Sequence, residues 1–245
     1  MDISLQLYSI KEEAEEDFPH ALELTGKAGY TGVEFAGYFG NSPEQMKALL
    51  KKYGLKAVST HCSIERLENA LEEELEYARV LDYKLIVCPY LKCENRARTE
   101  EDAKFLESCA QKASKQGIAI GYHNHNHEFT KFGGVYAQDI LLETAPSIVF
   151  QPDLFWIAYA GIDPAEYIEP YAKAGRIGAV HAKELAKTGT ENVYIGTGKI
   201  DFKTIAAICP PSKYPYIVEQ EEFSSDHFDG ISKSFQGLKH ILENL

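Results

Sequence analysis

Apolar positions in this chain fall into short, nearly continuous runs separated by longer stretches of helical period. The runs are Ile3–Tyr8, Thr31–Phe35, Lys56–His61, Lys84–Pro89, Ile118–His123, Ser147–Asp153, Ile177–Lys183 and Pro215–Glu219. Such runs read as strands covered on both faces. Their starts lie 28, 25, 28, 34, 29, 30 and 38 residues apart, so each strand is followed by enough chain for one helix.

The intervening segments supply those helices. Phe18–Ala28 carries an apolar stripe of Phe18, Ala21, Leu22, Leu24 and Ala28 and stops at Gly29. Pro43–Tyr53 follows a Ser42 cap and ends at Gly54, while Ile64–Leu81 places Leu67, Leu71, Leu75, Ala78 and Leu81 on one face. The same grammar predicts a helix over Thr99–Lys115, with Thr99 as N-cap and a stop at Gly117. Asp163–Pro164 opens another, with proline at its first position. Asp201 and Phe202 begin a short helix, and Phe228–Leu242 closes the chain.

Strands that are nearly all apolar, each followed by a helix, imply a parallel sheet with right-handed crossovers. An open doubly wound sheet usually carries a glycine-rich phosphate loop after an early strand, but the turn after Ile3–Tyr8 is Ser9-Ile10-Lys11-Glu12. Eight evenly spaced units without that loop favour an α/β fold of the (β/α)₈ barrel type, with residues 1–245 as one domain.

Composition narrows the function. With 25 Lys plus Arg against 37 Asp plus Glu, the formal charge of −12 argues against a nucleic-acid partner. A hydrophobic share of 44% supplies one sizeable core and excludes a disordered chain. The N-terminus has no apolar signal-peptide core and no run is long enough to span a bilayer, so a soluble, cytoplasmic protein is expected, with no membrane partner. Five cysteines with no CxxC pair read as buried small hydrophobes.

In a barrel of this type chemistry sits at the C-terminal ends of the strands. Here those ends read Gln6 and Tyr8, Glu34, His61, Tyr90, His123 with His125, Asp153, His181 with Lys183, and Glu219 with Glu221. The densest cluster is Tyr122-His123-Asn124-His125-Asn126-His127-Glu128-Phe129, where a period of two would put His123, His125 and His127 on one side. Asp153, His181 and Glu219 make a mixed oxygen and nitrogen set suited to a divalent ion such as Mn²⁺, Co²⁺, Mg²⁺ or Zn²⁺. The metal-free alternative is a salt-bridged cluster in which Lys183 neutralises the two carboxylates. Gly196-Thr197-Gly198-Lys199 is either a phosphate cradle or a plain turn.

Across nearly its whole length the sequence resembles the sugar isomerase/epimerase group of xylose isomerase-like TIM barrels, which includes inosose dehydratases and, more distantly, endonuclease IV. The resemblance is carried in order by Leu5-Gln6-Leu7-Tyr8-Ser9, Gly29-Tyr30-Thr31-Gly32-Val33-Glu34, Tyr122-His123-Asn124-His125 with Glu128-Phe129, and Asp153 with Trp156. It continues through Ala160-Gly161-Ile162-Asp163-Pro164, His181-Ala182-Lys183-Glu184, Gly196-Thr197-Gly198-Lys199-Ile200-Asp201-Phe202 and Ile217-Val218-Glu219-Gln220. It implies one divalent metal held by side chains ending strands five to eight, with Asp153, His181 and Glu219 on three of four ligand positions. Ketose epimerases of the group carry a glutamate six residues after the glycine that opens strand five. In this chain that position is His123, which is expected to ligate in its place, with Glu128 reaching back as the alternative. Where the endonucleases have a histidine three residues after the strand-six aspartate, this chain has Trp156.

The resemblance implies a carbohydrate substrate and proton transfer beside its carbonyl. Glu219 with His125 or His123 would move the proton, Lys183 would stabilise oxygen charge, and Tyr8, Glu34, His61, Glu128 and Trp156 would contact the substrate, Trp156 as an aromatic plate for the sugar ring. The alternative outcome is elimination from an inosose or 3-oxo-glycoside. A homo-oligomer or a partner subunit, including a non-catalytic role beside another chain, is also compatible with a small barrel of this kind.

Overall fold

The computed structural model describes residues 2–245. Eight strands, Ile3–Gln6, Gly32–Phe35, Lys56–His61, Leu85–Cys88, Ala119–His123, Val149–Gln151, Val180–Ala182 and Tyr216–Val218, form one parallel sheet. Numbered along the chain as one to eight, they lie in the order six, five, four, three, two, one, eight, seven. Strands six and seven close the ring through the bridges Phe150–Ile177 and Asp153–His181. Three backbone hydrogen bonds complete this seam: Phe150 N to Arg176 O (2.6 Å), Gly178 N to Phe150 O (2.8 Å) and His181 N to Pro152 O (3.0 Å). The fold is the (β/α)₈ TIM barrel that the spacing implies.

The period of two along each strand sorts its side chains. One set, including Ile3, Leu5, Val33, Phe35, Ile86, Ile120, Phe150 and Val218, packs with the helices in the large core. The other set fills the barrel. Its lower layer is a separate apolar plug of Leu85, Val87, Ala179 and Ile217, joined by Val58, Ala119 and Val149. Glycine is required beside that plug, because a Cβ on Gly178 would stand 2.6 Å from Val149 Cγ2. Two residues beyond Val149, Ala179 and Ile217 come the buried polar groups Gln151, His181 and Glu219, and Gln6, Glu34 and His123 join them from strands one, two and five. The barrel therefore has a dry floor with an ionisable layer resting on it.

Helices Phe18–Ala28, Pro43–Tyr53 and Ile64–Leu81 occupy the spans that the sequence predicts, with glycine in the left-handed conformation at Gly29 and Gly54. The fourth-unit helix differs, running over Arg96–Ala113 from an Asn95 cap whose side chain accepts from Arg98 N. Thr99 sits inside its first turn and donates back to Asn95 O (2.9 Å). Asn95 is as good a cap as Thr99, and starting there adds a turn in which Arg96 pairs with Glu100 (2.8 Å). The last helix spans His227–Glu243, one residue longer at each end than expected. Short helices over Lys11–Glu16, Ala137–Thr144 and Leu154–Tyr159, and two-residue strand pairs at Lys131–Tyr136 and Glu184–Val193, are additions to the sequence reading. Strand one ends at Gln6, so Tyr8 stands in a 3₁₀ turn. All five cysteines are free and buried. No helix among the described residues is long and apolar enough to cross a membrane.

One side chain reinforces the seam. Arg176 donates to Ile148 O (2.9 Å), Leu142 O (3.2 Å) and Ala145 O (3.0 Å), joining the end of one βα unit to the start of the next. Replacing it (Arg176→Ala) leaves those carbonyls without their charged donor and should cost about 2 kcal/mol. Urea unfolding checks this, and an unchanged midpoint would remove Arg176 from the account of closure.

Candidate active site

Four ionisable side chains from strands five to eight converge at the mouth. His123 ends strand five, Asp153 follows strand six, His181 lies within strand seven and Glu219 follows strand eight. One donor atom from each lies within 4.8 Å of every other. Asp153 Oδ2 stands 3.9 Å from both His123 Nε2 and His181 Nδ1, and His181 Nδ1 stands 3.7 Å from Glu219 Oε2. All four residues are buried. The expected ligand set is thus brought together, with His123 and not Glu128 at the fourth corner.

Each member is aimed by local structure. Asp153 caps the helix Leu154–Tyr159, its Oδ1 accepting from Trp156 N (2.9 Å), while its own N–H donates to Asn124 Oδ1 (3.0 Å). Those contacts leave Oδ2 turned to the cluster. Asp153 Oδ2 and His181 Nδ1 are buried with no hydrogen-bond partner. A buried carboxylate without a partner resists ionisation, and burial pushes the Asp153 carboxyl up to about 7 despite the nearby Lys183. Burial would also lower His181, but Glu34 and Glu219 outweigh it and raise its pKa to about 10.

The salt-bridge alternative needs Lys183 between Asp153 and Glu219. Instead the buried ammonium lies 3.3 Å from Glu219 Oε2 and bonds to Glu221, with its charge above the rings of Phe155 (5.1 Å) and Trp156 (4.9 Å). No Lys or Arg among the described residues lies within ion-pair distance of Asp153. Two carboxylates and two imidazoles around unpartnered atoms fit a divalent cation; without one, the protonated His181 ring is the cation nearest Asp153, at 3.9 Å and without a hydrogen bond. Glu219, although buried, is held well below the usual carboxylate range by Lys183 and His181.

Around this cluster opens a cavity of about 300 Å³ lined by Tyr8, Ala36, His61, Pro89, His123, His125, Glu219 and Glu221. Tyr8 is exposed at its rim, its hydroxyl accepting from Lys11 Nζ (3.3 Å). His125 leaves the strand period, since strand five ends at His123, yet the loop returns its ring to 5.2 Å from that of His123. Burial lowers the His125 pKa to about 4, so it is neutral at physiological pH.

Three expected substrate contacts lie elsewhere. Glu34 is completely buried beneath the cluster, accepting from Gln6, Ser59, Gln151 and His181. Glu128 is equally buried and braces the loop, taking hydrogen bonds from Tyr122 OH (2.5 Å) and His125 N (2.8 Å). Trp156, half-buried, has the Lys183 ammonium 4.9 Å from its ring and Phe155 and Tyr159 packed at steep angles to it, and it does not line the cavity. The phosphate reading of Gly196–Lys199 also fails. The buried Glu184 carboxylate fills that loop, accepting from Leu185 N (3.0 Å), Ile200 N (3.0 Å) and Gly196 N (3.3 Å). The Glu221 contact to Lys183 was absent from the expected site, although its place two residues beyond Glu219 is the available signal.

His125 gives a pH test. Its folded pKa near 4 lies below the ordinary histidine value of 6.5, so the unfolded chain binds more protons between those values. The stability it contributes is full above 6.5 and lost as pH falls toward 4. Comparing unfolding midpoints of wild type and His125→Gln at pH 7 and pH 5, the wild type should lose more on acidification; an equal loss would contradict a buried neutral imidazole.

Comparison with known proteins agrees with this architecture. The family model described as xylose isomerase-like TIM barrel matches residues 22–241. A sugar phosphate isomerase/epimerase from Parabacteroides distasonis superposes with a TM-score of 0.83 at 22% identity, covering 98% of this chain and 95% of that one. A D-allulose 3-epimerase from Methylomonas sp., solved in complex with D-allulose, gives 0.73 at 17% identity over 98% and 96%. A probable 3-DHS dehydratase from Bacillus anthracis gives 0.75 at 13% identity over 98% and 99%. No curated protein matches this chain in sequence. On the match of the family model to most of its length, the chain belongs to the xylose isomerase-like TIM barrels.

Proposed function

We propose that this barrel is a divalent-metal-dependent sugar isomerase or epimerase that moves a proton at the carbon beside a carbonyl. The observation that carries the reading is the pair of buried, unpartnered atoms, Asp153 Oδ2 and His181 Nδ1, facing Glu219 and His123. These four residues would hold one ion of the Mn²⁺, Co²⁺, Mg²⁺ or Zn²⁺ type. Such an ion, when bound, polarises a carbonyl and makes the neighbouring C–H more acidic.

The chain's own groups then handle the proton. Glu219 is ionised at neutral pH and serves as the base at the cluster. His125, neutral and set back from the metal corners, is the second proton carrier. Lys183, pinned by Glu219 and Glu221, keeps Glu219 charged and places a cation beside developing oxygen charge. His61 and Tyr8 border the cavity where the rest of a carbohydrate would lie. Return of the proton to the opposite face gives an epimer, and to the adjacent carbon an isomer.

One feature favours a second reading. The strand-five corner is an imidazole where ketose epimerases of the family carry a carboxylate, so the site has one glutamate base and a neutral histidine. That pairing suits elimination, in which the base removes the proton and a β-substituent departs.

The test is incubation of Mn²⁺-loaded protein with free ketoses, inososes and 3-oxo-glycosides in D₂O, followed by mass spectrometry and NMR. Deuterium at the carbon beside the carbonyl with the carbon skeleton and its oxygens retained is the expected result, and Glu219→Gln should abolish it. Loss of water or of an aglycone would establish the second reading. Absence of both across these classes would overturn the proton-transfer proposal.

A further inference from the structure

The ionisable layer has its own foundation in Glu34. This carboxylate, at the end of strand two, receives donors from strands one, three, six and seven: Gln6 Nε2 (2.7 Å), Ser59 Oγ (2.6 Å), Gln151 Nε2 (2.7 Å) and His181 Nε2 (2.6 Å). His61 Nε2 stands 3.0 Å from the same carboxylate, within ion-pair distance. Burial alone would raise this carboxyl, yet the two imidazoles hold it well below the usual range.

The contacts determine where the two imidazoles carry hydrogen. His181 Nε2 faces only the Glu34 acceptor, so in the neutral ring that nitrogen holds the proton and Nδ1 is left for the cluster. Gln151 turns its amide N–H to Glu34, so its carbonyl faces His61, and His61 Nε2 then stands between two acceptors, Gln151 Oε1 (2.9 Å) and Glu34 Oε1. It too must be a donor. His61 lines the cavity, and its Nδ1 has no partner among the described residues. The two rings are stacked 5.2 Å apart and tilted by only 15°, so they present matching edges.

We propose that Glu34 is a positioning residue that fixes His181 and His61 together as Nε2–H imidazoles, presenting one bare Nδ1 to the metal and the other to a hydroxyl of the substrate. This rests on the metal reading given above and extends it, since it assigns His61 the role of a substrate acceptor and Glu34 a role at a distance from the substrate. A carboxylate is needed at position 34 because all four hydrogen-bonding neighbours donate and His61 Nε2–H stands beside it. An amide there would set an NH₂ group against donors, release both rings to turn, and loosen the metal.

The experiment uses the full chain labelled with ¹⁵N-histidine and loaded with Zn²⁺, a diamagnetic probe ion. Long-range ¹H–¹⁵N spectra should show Nε2 protonated and Nδ1 unprotonated in both His61 and His181. Glu34→Gln should bind Zn²⁺ about 10–100-fold more weakly, the range for loss of an outer-shell partner, with Glu34→Asp recovering part of that loss. If Glu34→Gln fails to fold, the wild-type spectrum decides by itself. A proton on Nδ1 of either ring, or a folded Glu34→Gln that binds Zn²⁺ as tightly as wild type, would overturn the assignment and leave the metal reading standing. Failure of the wild type to take up Zn²⁺ would overturn both.

Discussion

A carboxylate oxygen buried with no donor beside it is the constraint around which this barrel is arranged. Asp153 Oδ2 and its neighbour His181 Nδ1 have been taken out of water and given nothing in return by the rest of the chain. Leaving a polar atom dry costs about 1–3 kcal/mol, and more when the group is charged. Protonation of Asp153 relieves the problem without a ligand, which is why burial moves that carboxyl to about 7. A divalent cation relieves it completely, satisfying two carboxylates and two imidazoles at once.

The rest of the fold holds that constraint in place. Alternation along the strands puts an apolar plug beneath the mouth and ionisable groups directly above it, so the cluster has a dry floor. The seam between strands six and seven is closed by the Asp153–His181 bridge itself, which couples barrel closure to the spacing of two corners of the site. Asp153 serves two purposes with its two oxygens, one capping a helix and one facing the cluster. Glu34 beneath, Glu128 beside and Lys183 above each consume hydrogen-bonding or charge capacity that would otherwise compete for the centre.

Much of this was legible in the sequence because burial on two faces leaves a strong mark. The strands stand out as apolar runs, and the polar residues ending them stand out against those runs, so His123, Asp153, His181 and Glu219 could be named before any coordinates. Depth could not be read. Parity places Glu34 inside the barrel but does not say whether it faces the cavity or lies below it, and four donors from other strands make that decision. The same holds for Glu128, whose carboxylate is taken by Tyr122 and His125, and for Trp156, which stands against Lys183 and outside the cavity lining. Where two signals of equal strength compete locally, as Asn95 and Thr99 do for one cap, only the added contacts of the longer helix decide. The glycine loop at 196–199 has the composition of an anion cradle, and the anion it holds is the chain's own Glu184.

Calorimetric titration of the chelator-treated protein with Mn²⁺, wild type beside Asp153→Ala and His181→Ala, tests the central claim most directly. The account predicts about one ion bound per wild-type chain, by the single four-residue cluster described here, and binding lost in both variants. A folded wild type that binds no divalent ion, or variants that bind it as the wild type does, would contradict it.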